Sequence, residues 1–307
     1  MKSSSCFVWC ISIANVEIDL SQLRALAAVV DEGSFDAAAT VLHVTPSAVS
    51  QRIKALERAA GRVLVRRAKP TAVTDAGHSY LRLARQVDVL VHAAGQEASP
   101  DDLRPAVIPL AINADSLATW VLPALAGFGG DVCFDIRRED QDDTAHLLRT
   151  GAVMAAITTD AEPVQGCRST RLGTMRYRPM ASPQFFRTWF ATGIDAAALS
   201  RAPVVVFDRR DDLQDRYLRQ RIRRRLDPPR HHIPASSDFA EAVRLGLGWA
   251  TLPDQQSAAL EEAGQLVDID PGRHVDVTLY WQQWALRTPV LEAVAAAVGK
   301  AAAEHLT

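Results

Sequence analysis

Cysteine is scarce in this sequence, which has only four in 307 residues, at positions 6, 10, 133 and 167. Cysteines this sparse make neither a disulfide framework nor a CxxC…CxxC zinc site, so a reducing compartment is expected. Cys6 and Cys10 form a C-x3-C pair, but no histidine or further cysteine stands beside them, which disfavours a metal site. We therefore predict neither a metal nor another cofactor.

Long apolar runs are absent as well, since no stretch approaches the roughly 20 residues of a membrane-spanning helix. The opening stretch, MKSSSCFVWCISIAN, mimics a signal peptide poorly, because Ser12 interrupts its apolar run and no A-x-A cleavage site follows. Residues 1–17 are interpreted as a disordered extension or a mis-called start. A cytoplasmic protein without a membrane partner is predicted.

Signatures of catalysis are missing too. The sequence has no GxSxG, HExxH or P-loop motif, and GLGW at 246–249 lacks the third glycine of a dinucleotide-binding fingerprint. His231 and His232 are adjacent, so they cannot share one helix face as paired metal ligands would. We predict that the protein is not an enzyme and has no catalytic residue.

Charge is present but nearly balanced, with a formal net charge of −2, so any surface for nucleic acid must be local. Such a surface exists between positions 50 and 70, where seven basic residues and one acidic residue leave a local excess of +6. Before it, helical spacing of apolar residues predicts a helix from Leu20, stopped at Gly33, and a second helix from about Phe35. A third helix is predicted from Thr45-Pro46, with threonine as the N-cap.

The third helix has two different faces when its residues are projected at about 100° each. One face is apolar and carries Val49, Ile53 and Leu56. The other face is polar and basic, with Ser47, Gln51, Lys54 and Arg58. A carboxamide can pair with adenine, and cations with guanine or phosphate, which is the chemistry of major-groove recognition. An ordinary solvent-exposed helix has the same kind of polar face. The basic hairpin and the long helix that follow favour a winged helix-turn-helix instead.

Residues 20–77 resemble the DNA-binding domain of LysR-type transcriptional regulators, on GSFDAAATVLHVTPSAVSQRIKALERAAGRVLVRR and the TDAG that follows. One departure is Val65, where the family usually has phenylalanine. The resemblance implies a winged helix-turn-helix at 18–74, a dimerisation helix at 75–97 and a hinge at 98–106. The implied partners are double-stranded promoter DNA, RNA polymerase and further copies of the chain, as a dimer or a dimer of dimers. The DNA-contacting positions that it implies are Ser34, Phe35, Thr45, Ser47, Gln51, Arg52, Lys54, Arg66, Arg67 and Lys69.

From Val107 onward, strand-like runs alternate with helical stretches, which predicts an α/β domain with a largely parallel sheet. Such sheets bind ligands at the carboxyl ends of their strands. Two acidic runs follow strands, REDQDD at 138–143 and FDRRDDLQD at 207–215. A single run is ordinarily a solvated face, but two at equivalent strand ends favour a cationic ligand. Ser116 begins a helix, either as a simple cap or beside N–H groups that hold a ligand carboxylate.

Residues 107–307 resemble the two-subdomain, periplasmic-binding-protein-like effector domain of the same family, and in particular its ArgP/LysG subfamily. The implied subdomains are I, at about 107–178 and 277–307, and II, at about 179–276. The fold class is thus α/β overall, with a mainly α N-terminal domain. The subfamily implies a regulator that senses lysine or arginine and controls a basic amino-acid export gene. The expected effector-binding residues are Asn113, Asp115, Ser116, Asp140, Asp142, Thr158, Thr159, Phe207, Asp208, Asp212, Ser237 and Trp249.

The alternative function is a ligand-independent architectural or replication-inhibiting DNA-binding protein. Six arginines between positions 216 and 225 could add a second DNA surface, whereas five nearby aspartates favour a salt-bridged helix. Ligand-dependent DNA binding separates this alternative from the regulator.

Overall fold

The structure is a computed structural model that describes residues 18–98, 105–130, 132–138, 141–285 and 288–307, without the side chains of 92–98 and 141–143. The chain divides into two compact units after Asp88. The expected N-terminal extension, with Cys6 and Cys10, and most of the expected hinge lie outside the described residues.

The first unit is a short helical bundle that carries a small hairpin and leads into a long helix. Its elements are α1 (Leu20–Asp31), α2 (Phe35–Val41), α3 (Pro46–Ala60), β1 (Val65–Arg66), β2 (Ala72–Val73) and α4 (Asp75–Ala98). Side-chain caps start the first three helices, because Asp19, Ser34 and Thr45 each accept a backbone N–H of the first turn. Gly61 ends α3 in a left-handed conformation, with φ 63°. The predicted helix starts are confirmed.

The core of this unit is formed where α1, α2 and α3 meet. Leu26, Val49 and Leu56 are fully buried there, so the apolar face predicted for α3 is the face that packs inward. Val65 is buried in the same cluster. Valine therefore packs into the core at this position, where the family usually has the larger phenylalanine.

The second unit alternates strands and helices. Its first half contains β3 (Ala106–Ile112), α5 (Ala114–Ser116), a π-helical turn at 117–121, α6 (Leu122–Ala126), β4 (Val132–Arg138), α7 (Gln141–Thr150), β5 (Ala155–Thr158) and β6 (Cys167–Ala181). Its second half contains α8 (Pro183–Trp189), α9 (Ala196–Arg201), β7 (Val204–Val206), α10 (Leu213–Ile222), β8 (Arg230–His232), α11 (Ser236–Arg244), β9 (Ala250–Pro253), α12 (Asp254–Glu262), β10 (Val267–Asp268), β11 (Val275–Trp284) and α13 (Pro289–His305).

The main sheet is mixed, and the expectation of a largely parallel sheet is wrong. Among the described residues, seven strands form it, in the order β10-β6-β11-β5-β3-β4, with β9 paired to β6. Strand β3 runs parallel to β4 and β5, but β11 is antiparallel to β5 and β6. The difference comes from the long strands β6 and β11, which pair with each other in the antiparallel direction.

Three tryptophans, Trp120, Trp249 and Trp284, are fully buried in the core of the second unit. The ring of Trp249 meets the ring of Tyr217 edge-on, with 5.3 Å between centroids. In the part of the chain that the structure describes, we find no helix both long and apolar enough to cross a bilayer.

Candidate DNA-binding face and effector cleft

The polar side of α3 is open to solvent, as the sequence predicts. Ser47, Gln51 and Lys54 are exposed along it, opposite the buried apolar residues of the same helix. An open depression of about 720 Å³ begins at Gln51 and Lys54 and continues to Arg62 at the base of the hairpin. A helix that offers donors and cations on one exposed side has the form that enters a DNA groove.

The hairpin is fastened to α3 by a carboxylate. One oxygen of Glu57 accepts the backbone N–H groups of Leu64, at 2.9 Å, and Val65, at 3.4 Å. Arg67 also reaches back, because its guanidinium donates to the Ser50 hydroxyl at 3.2 Å. These contacts hold the hairpin in a fixed position beside the exposed side of the helix.

The other residues implied by the resemblance lie around this face in different settings. Ser34 and Thr45 are helix caps, which use their hydroxyl oxygens within the domain. The ring of Phe35 lies 5.1 Å from the Arg67 guanidinium carbon. Arg66 and Lys69 are exposed on the hairpin, whereas Arg52 is half-buried. The structure thus leaves a carboxamide and several cations exposed on α3 and the hairpin.

A second concavity, of about 410 Å³, lies in the second unit, and we call it the effector cleft. It is lined by Asn113, Ala114, Asp115, Tyr177, Phe207, Asp208, Arg210, Asp211, Asp212, Leu213, Gln214, Phe239, Thr251, Pro253, Val277 and Leu279. Four of these residues are aspartates and one is an arginine, so the ionised lining is acidic. An acidic cleft favours a cationic ligand.

Asp115 is a half-buried carboxylate that two hydroxyl groups hold in place. It accepts hydrogen bonds from the Ser236 hydroxyl at 2.7 Å and from the Tyr177 hydroxyl at 2.9 Å. Burial raises the pKa of Asp115, and the hydrogen bonds from Ser236 and Tyr177 oppose that rise. Gln256 in turn holds the Ser236 hydroxyl in position, because its side-chain amide donates to that hydroxyl at 2.7 Å.

Asp211 is a second half-buried carboxylate of the cleft. Its oxygens accept the backbone N–H groups of Phe207, at 2.9 Å, and Leu213, at 3.0 Å. Burial raises the pKa of Asp211, and the charge of Asp115 raises it further. Among the described residues, neither Asp115 nor Asp211 forms a salt bridge. Removing part of the water around an ionised carboxylate costs free energy, so a bound cation would stabilise the charged forms of Asp115 and Asp211.

Two further groups in the cleft have unused hydrogen-bonding capacity. The hydroxyl of Thr251 and the Oε1 atom of Gln214 are buried, and neither has a hydrogen-bond partner among the described residues. Both residues line the cleft. Buried polar atoms without partners are rare in folded proteins, and a ligand is one explanation for them.

The structure brings five of the predicted effector residues to the cleft, namely Asn113, Asp115, Phe207, Asp208 and Asp212. Ser116 is fully buried beside them, and its backbone N–H is taken by the Asn113 side chain at 2.7 Å. That N–H is therefore not free for a ligand carboxylate, contrary to the expectation.

Three further predicted effector residues, Thr158, Thr159 and Trp249, are absent from the cleft lining. Thr158 is buried at the end of β5, where its hydroxyl accepts the N–H of Asp160. Thr159 is half-buried and is not part of the cleft lining. The expectation for Trp249 needs correction, because its side chain fills the core. Asp140 and the side chain of Asp142 lie outside the described residues.

The sequence missed several residues that shape the cleft. Ser237 was expected there, but it is exposed, while its neighbour Ser236 points to Asp115, since one position along a helix turns a side chain by about 100°. Asp211 and Gln214 lie in the acidic run that the sequence analysis singled out, so that run could have suggested them. Tyr177 and Thr251 come from strands β6 and β9, and no local pattern marks them.

A winged helix-turn-helix, followed by an α/β unit with a polar cleft, defines a DNA-binding transcriptional regulator with an effector domain. Family models agree with this class. A model described as "Bacterial regulatory helix-turn-helix protein, lysR family" matches residues 20–78, and one described as "LysR substrate binding domain" matches residues 107–303. The chain belongs to the LysR family of transcriptional regulators, and the predicted family and fold class are confirmed.

Individual relatives are consistent with this assignment. The "Lysine export transcriptional regulatory protein LysG" of Corynebacterium efficiens is 42% identical over 287 residues, 91% of this chain and 96% of that protein. A crystal structure of ArgP from Mycobacterium tuberculosis is 46% identical, with a TM-score of 0.84, over 94% of this chain and 99% of that one. The full-length LysG of Corynebacterium glutamicum with bound effector Arg is 37% identical, with a TM-score of 0.74 and the same coverage. These similarities favour a transcriptional regulator over the ligand-independent architectural protein.

Proposed function

We propose that this regulator senses a basic amino acid, lysine or arginine, in the effector cleft and thereby controls a basic amino-acid export gene. The observation that carries the proposal is the pair of half-buried carboxylates, Asp115 and Asp211, which line one cleft, have raised pKa values and form no salt bridge among the described residues. An ammonium or guanidinium group would supply the missing positive charge. The effector named for the Corynebacterium glutamicum relative, arginine, has this chemistry.

The ligand's polar groups have distinct partners in this proposal. The cationic side chain lies against Asp115 and Asp211, where desolvated charges attract strongly. The Oε1 atom of Gln214 accepts one of the ligand's N–H groups, and the Thr251 hydroxyl donates to the ligand's carboxylate. In this proposal the ligand's carboxylate binds Thr251 and not the backbone N–H of Ser116, because that N–H already donates to the Asn113 side chain.

The output of the regulator is DNA binding by α3 and the hairpin. A dimer, or a dimer of dimers, would present two α3 helices to a partly palindromic promoter site, with RNA polymerase as a further partner. Effector binding alters transcription only if the ligand prefers one arrangement of the assembly. We place the protein in the cytoplasm and assign it no catalytic activity.

Calorimetric titration tests the effector directly. L-arginine and L-lysine should release or absorb heat and saturate one site per chain, whereas L-norleucine should not, because it has the length of lysine without the terminal charge. Agmatine, which keeps the guanidinium but lacks the carboxylate, should bind more weakly than arginine. Equal binding of norleucine and lysine, or no binding of either basic amino acid, would refute the basic-amino-acid sensor.

A further inference from the structure

The arginine-rich stretch around α10 separates into two groups, and in the first group each arginine has a partner. Arg219 lies 3.4 Å from the Asp212 carboxylate, and Arg221 lies 3.1 Å from Asp270. The guanidinium of Arg216 donates to the backbone carbonyl of residue 276 at 3.0 Å. Salt bridges therefore account for Arg219 and Arg221, as the alternative to a second DNA surface predicts, and a backbone hydrogen bond accounts for Arg216.

The second group is different. Arg223, Arg224 and Arg225 follow one another directly after α10, and all three are exposed. Among the residues that the structure describes, none of the three has a salt-bridge partner. Three adjacent like charges repel one another, so this group does not stabilise the fold electrostatically. A bound anion would remove the repulsion.

These three arginines border a depression of about 530 Å³, which we call the arginine depression. Leu218 and Leu226, both buried, contribute its apolar part. Its volume lies within the range of roughly 300 to 1,000 Å³ that is usual for small-molecule sites. None of its lining residues belongs to the effector cleft, so the two sites are separate.

One edge of the arginine depression is rigid. Arg230 is held there by two hydrogen bonds to Asp215, at 2.7 and 3.2 Å. Arg223 closes α10 in a left-handed conformation, with φ 57°. Glycine is the usual residue in that conformation, because a β-carbon is strained there. A strained residue with a long cationic side chain points to a use for that side chain.

We infer that the arginine depression, formed by Arg223, Arg224 and Arg225 beside Leu218 and Leu226, is a phosphate-binding site separate from the effector cleft. Guanidinium groups bind phosphate oxygens through paired N–H donors. A phosphate monoester carries a charge of about −1.5 to −2 near neutral pH, which matches a multiple positive charge better than one carboxylate does. The phosphate could belong to a small polyphosphate or to a nucleic-acid backbone, which present the same chemistry.

Substitution of the three arginines by glutamine, in the full-length protein, tests the site. The matched control replaces Arg171, Arg187 and Arg201, three exposed arginines elsewhere in the same unit, so both variants lose the same charge. Two probes are used at low ionic strength, sodium triphosphate by calorimetry and a random-sequence DNA duplex by a salt titration. Either roughly tenfold weaker triphosphate binding, or a salt slope smaller by about 1 to 3, in the site variant only, supports the site and identifies the source of the phosphate.

Two results would overturn it: equal losses in the site variant and the control, or tighter binding of a polyglutamate peptide than of triphosphate, which would assign an acidic protein partner instead. Arg223→Gly guards against a folding artefact, because glycine relieves the left-handed strain. This variant should melt at a higher temperature and yet bind triphosphate more weakly. A higher melting temperature with unchanged triphosphate binding would also contradict the inference.

Discussion

The hydroxyl of Ser236 donates a 2.7 Å hydrogen bond to the carboxylate of Asp115, which joins residues that stand 121 positions apart in the chain. Asp115 lies in α5, and Ser236 begins α11. Their contact brings the two halves of this unit together across the effector cleft. It also explains how a half-buried carboxylate can lack a salt bridge among the described residues, because two hydroxyl donors partly replace the lost water.

Asp115→Asn should stabilise the ligand-free protein at neutral pH, by an amount on the order of 1 kcal/mol. The folded-state pKa of Asp115 is raised above its ordinary value of 3.8, so the folded state binds more protons than the unfolded state between those two values. The destabilising contribution of Asp115 therefore appears as the pH rises above about 3.8 and is complete above the folded-state pKa. Denaturant melts across this range check the prediction, and a stability difference that is constant from low to neutral pH would contradict it.

The carboxylate charges of Asp115 and Asp211 should also make the affinity for the effector depend on pH. A cationic ligand binds the ionised carboxylate, and the pKa values of Asp115 and Asp211 are both raised, so arginine should bind more tightly as the pH rises through the upper part of this range. Asp211→Asn should weaken binding at least tenfold and flatten the pH profile. Asp195→Asn serves as the control, because this aspartate caps α9 and lies outside the cleft lining. An unchanged profile in Asp211→Asn would exclude this carboxylate from the ligand's partners.

On the DNA side, two substitutions should have different signatures. Gln51→Ala removes an exposed carboxamide from α3, and it should reduce discrimination between preferred and random sequences by about 1 to 3 kcal/mol. Arg67→Ala removes a cation from the hairpin, and it should weaken binding to all DNA sequences by the same factor. Selection from a random duplex library, followed by affinity measurements on selected and random duplexes, distinguishes them. A uniform loss for Gln51→Ala would show that this residue does not read bases.

Gly77→Ala should destabilise the first unit. A β-carbon at Gly77 would lie 2.2 Å from the backbone carbonyl oxygen of Leu64, so the hairpin or α4 must shift. Overpacking of this kind costs roughly 1 to 3 kcal/mol. Gly299→Ala is the matched control, since this helical glycine has open space around it, and it should be neutral or stabilising by about 0.5 to 1 kcal/mol. Equal melting temperatures for the two variants would contradict the close approach of α4 to the hairpin.

The sequence predicted the DNA-binding unit well because its signals are local. Caps such as Thr45, and the alternation of Val49, Ile53 and Leu56 with exposed polar residues, act within one or two helical turns. The effector cleft was predicted only in part. Asp115 and Asp208 could be predicted because each closely follows a strand. Thr251 could not be predicted, because its strand β9 pairs with β6, which lies many residues earlier in the sequence.

The amino-acid sequence by itself determined the helix-turn-helix, the basic side of α3 and the acidic character of the second unit, because periodicity, caps and charge are properties of neighbouring residues. Only the tertiary structure decided which polar groups share the cleft. Ser236 rather than Ser237 meets Asp115, and Trp249 lies in the core, because the direction of each side chain depends on how distant strands and helices pack. The same packing provided partners for Arg216, Arg219 and Arg221, and left Arg223, Arg224 and Arg225 exposed.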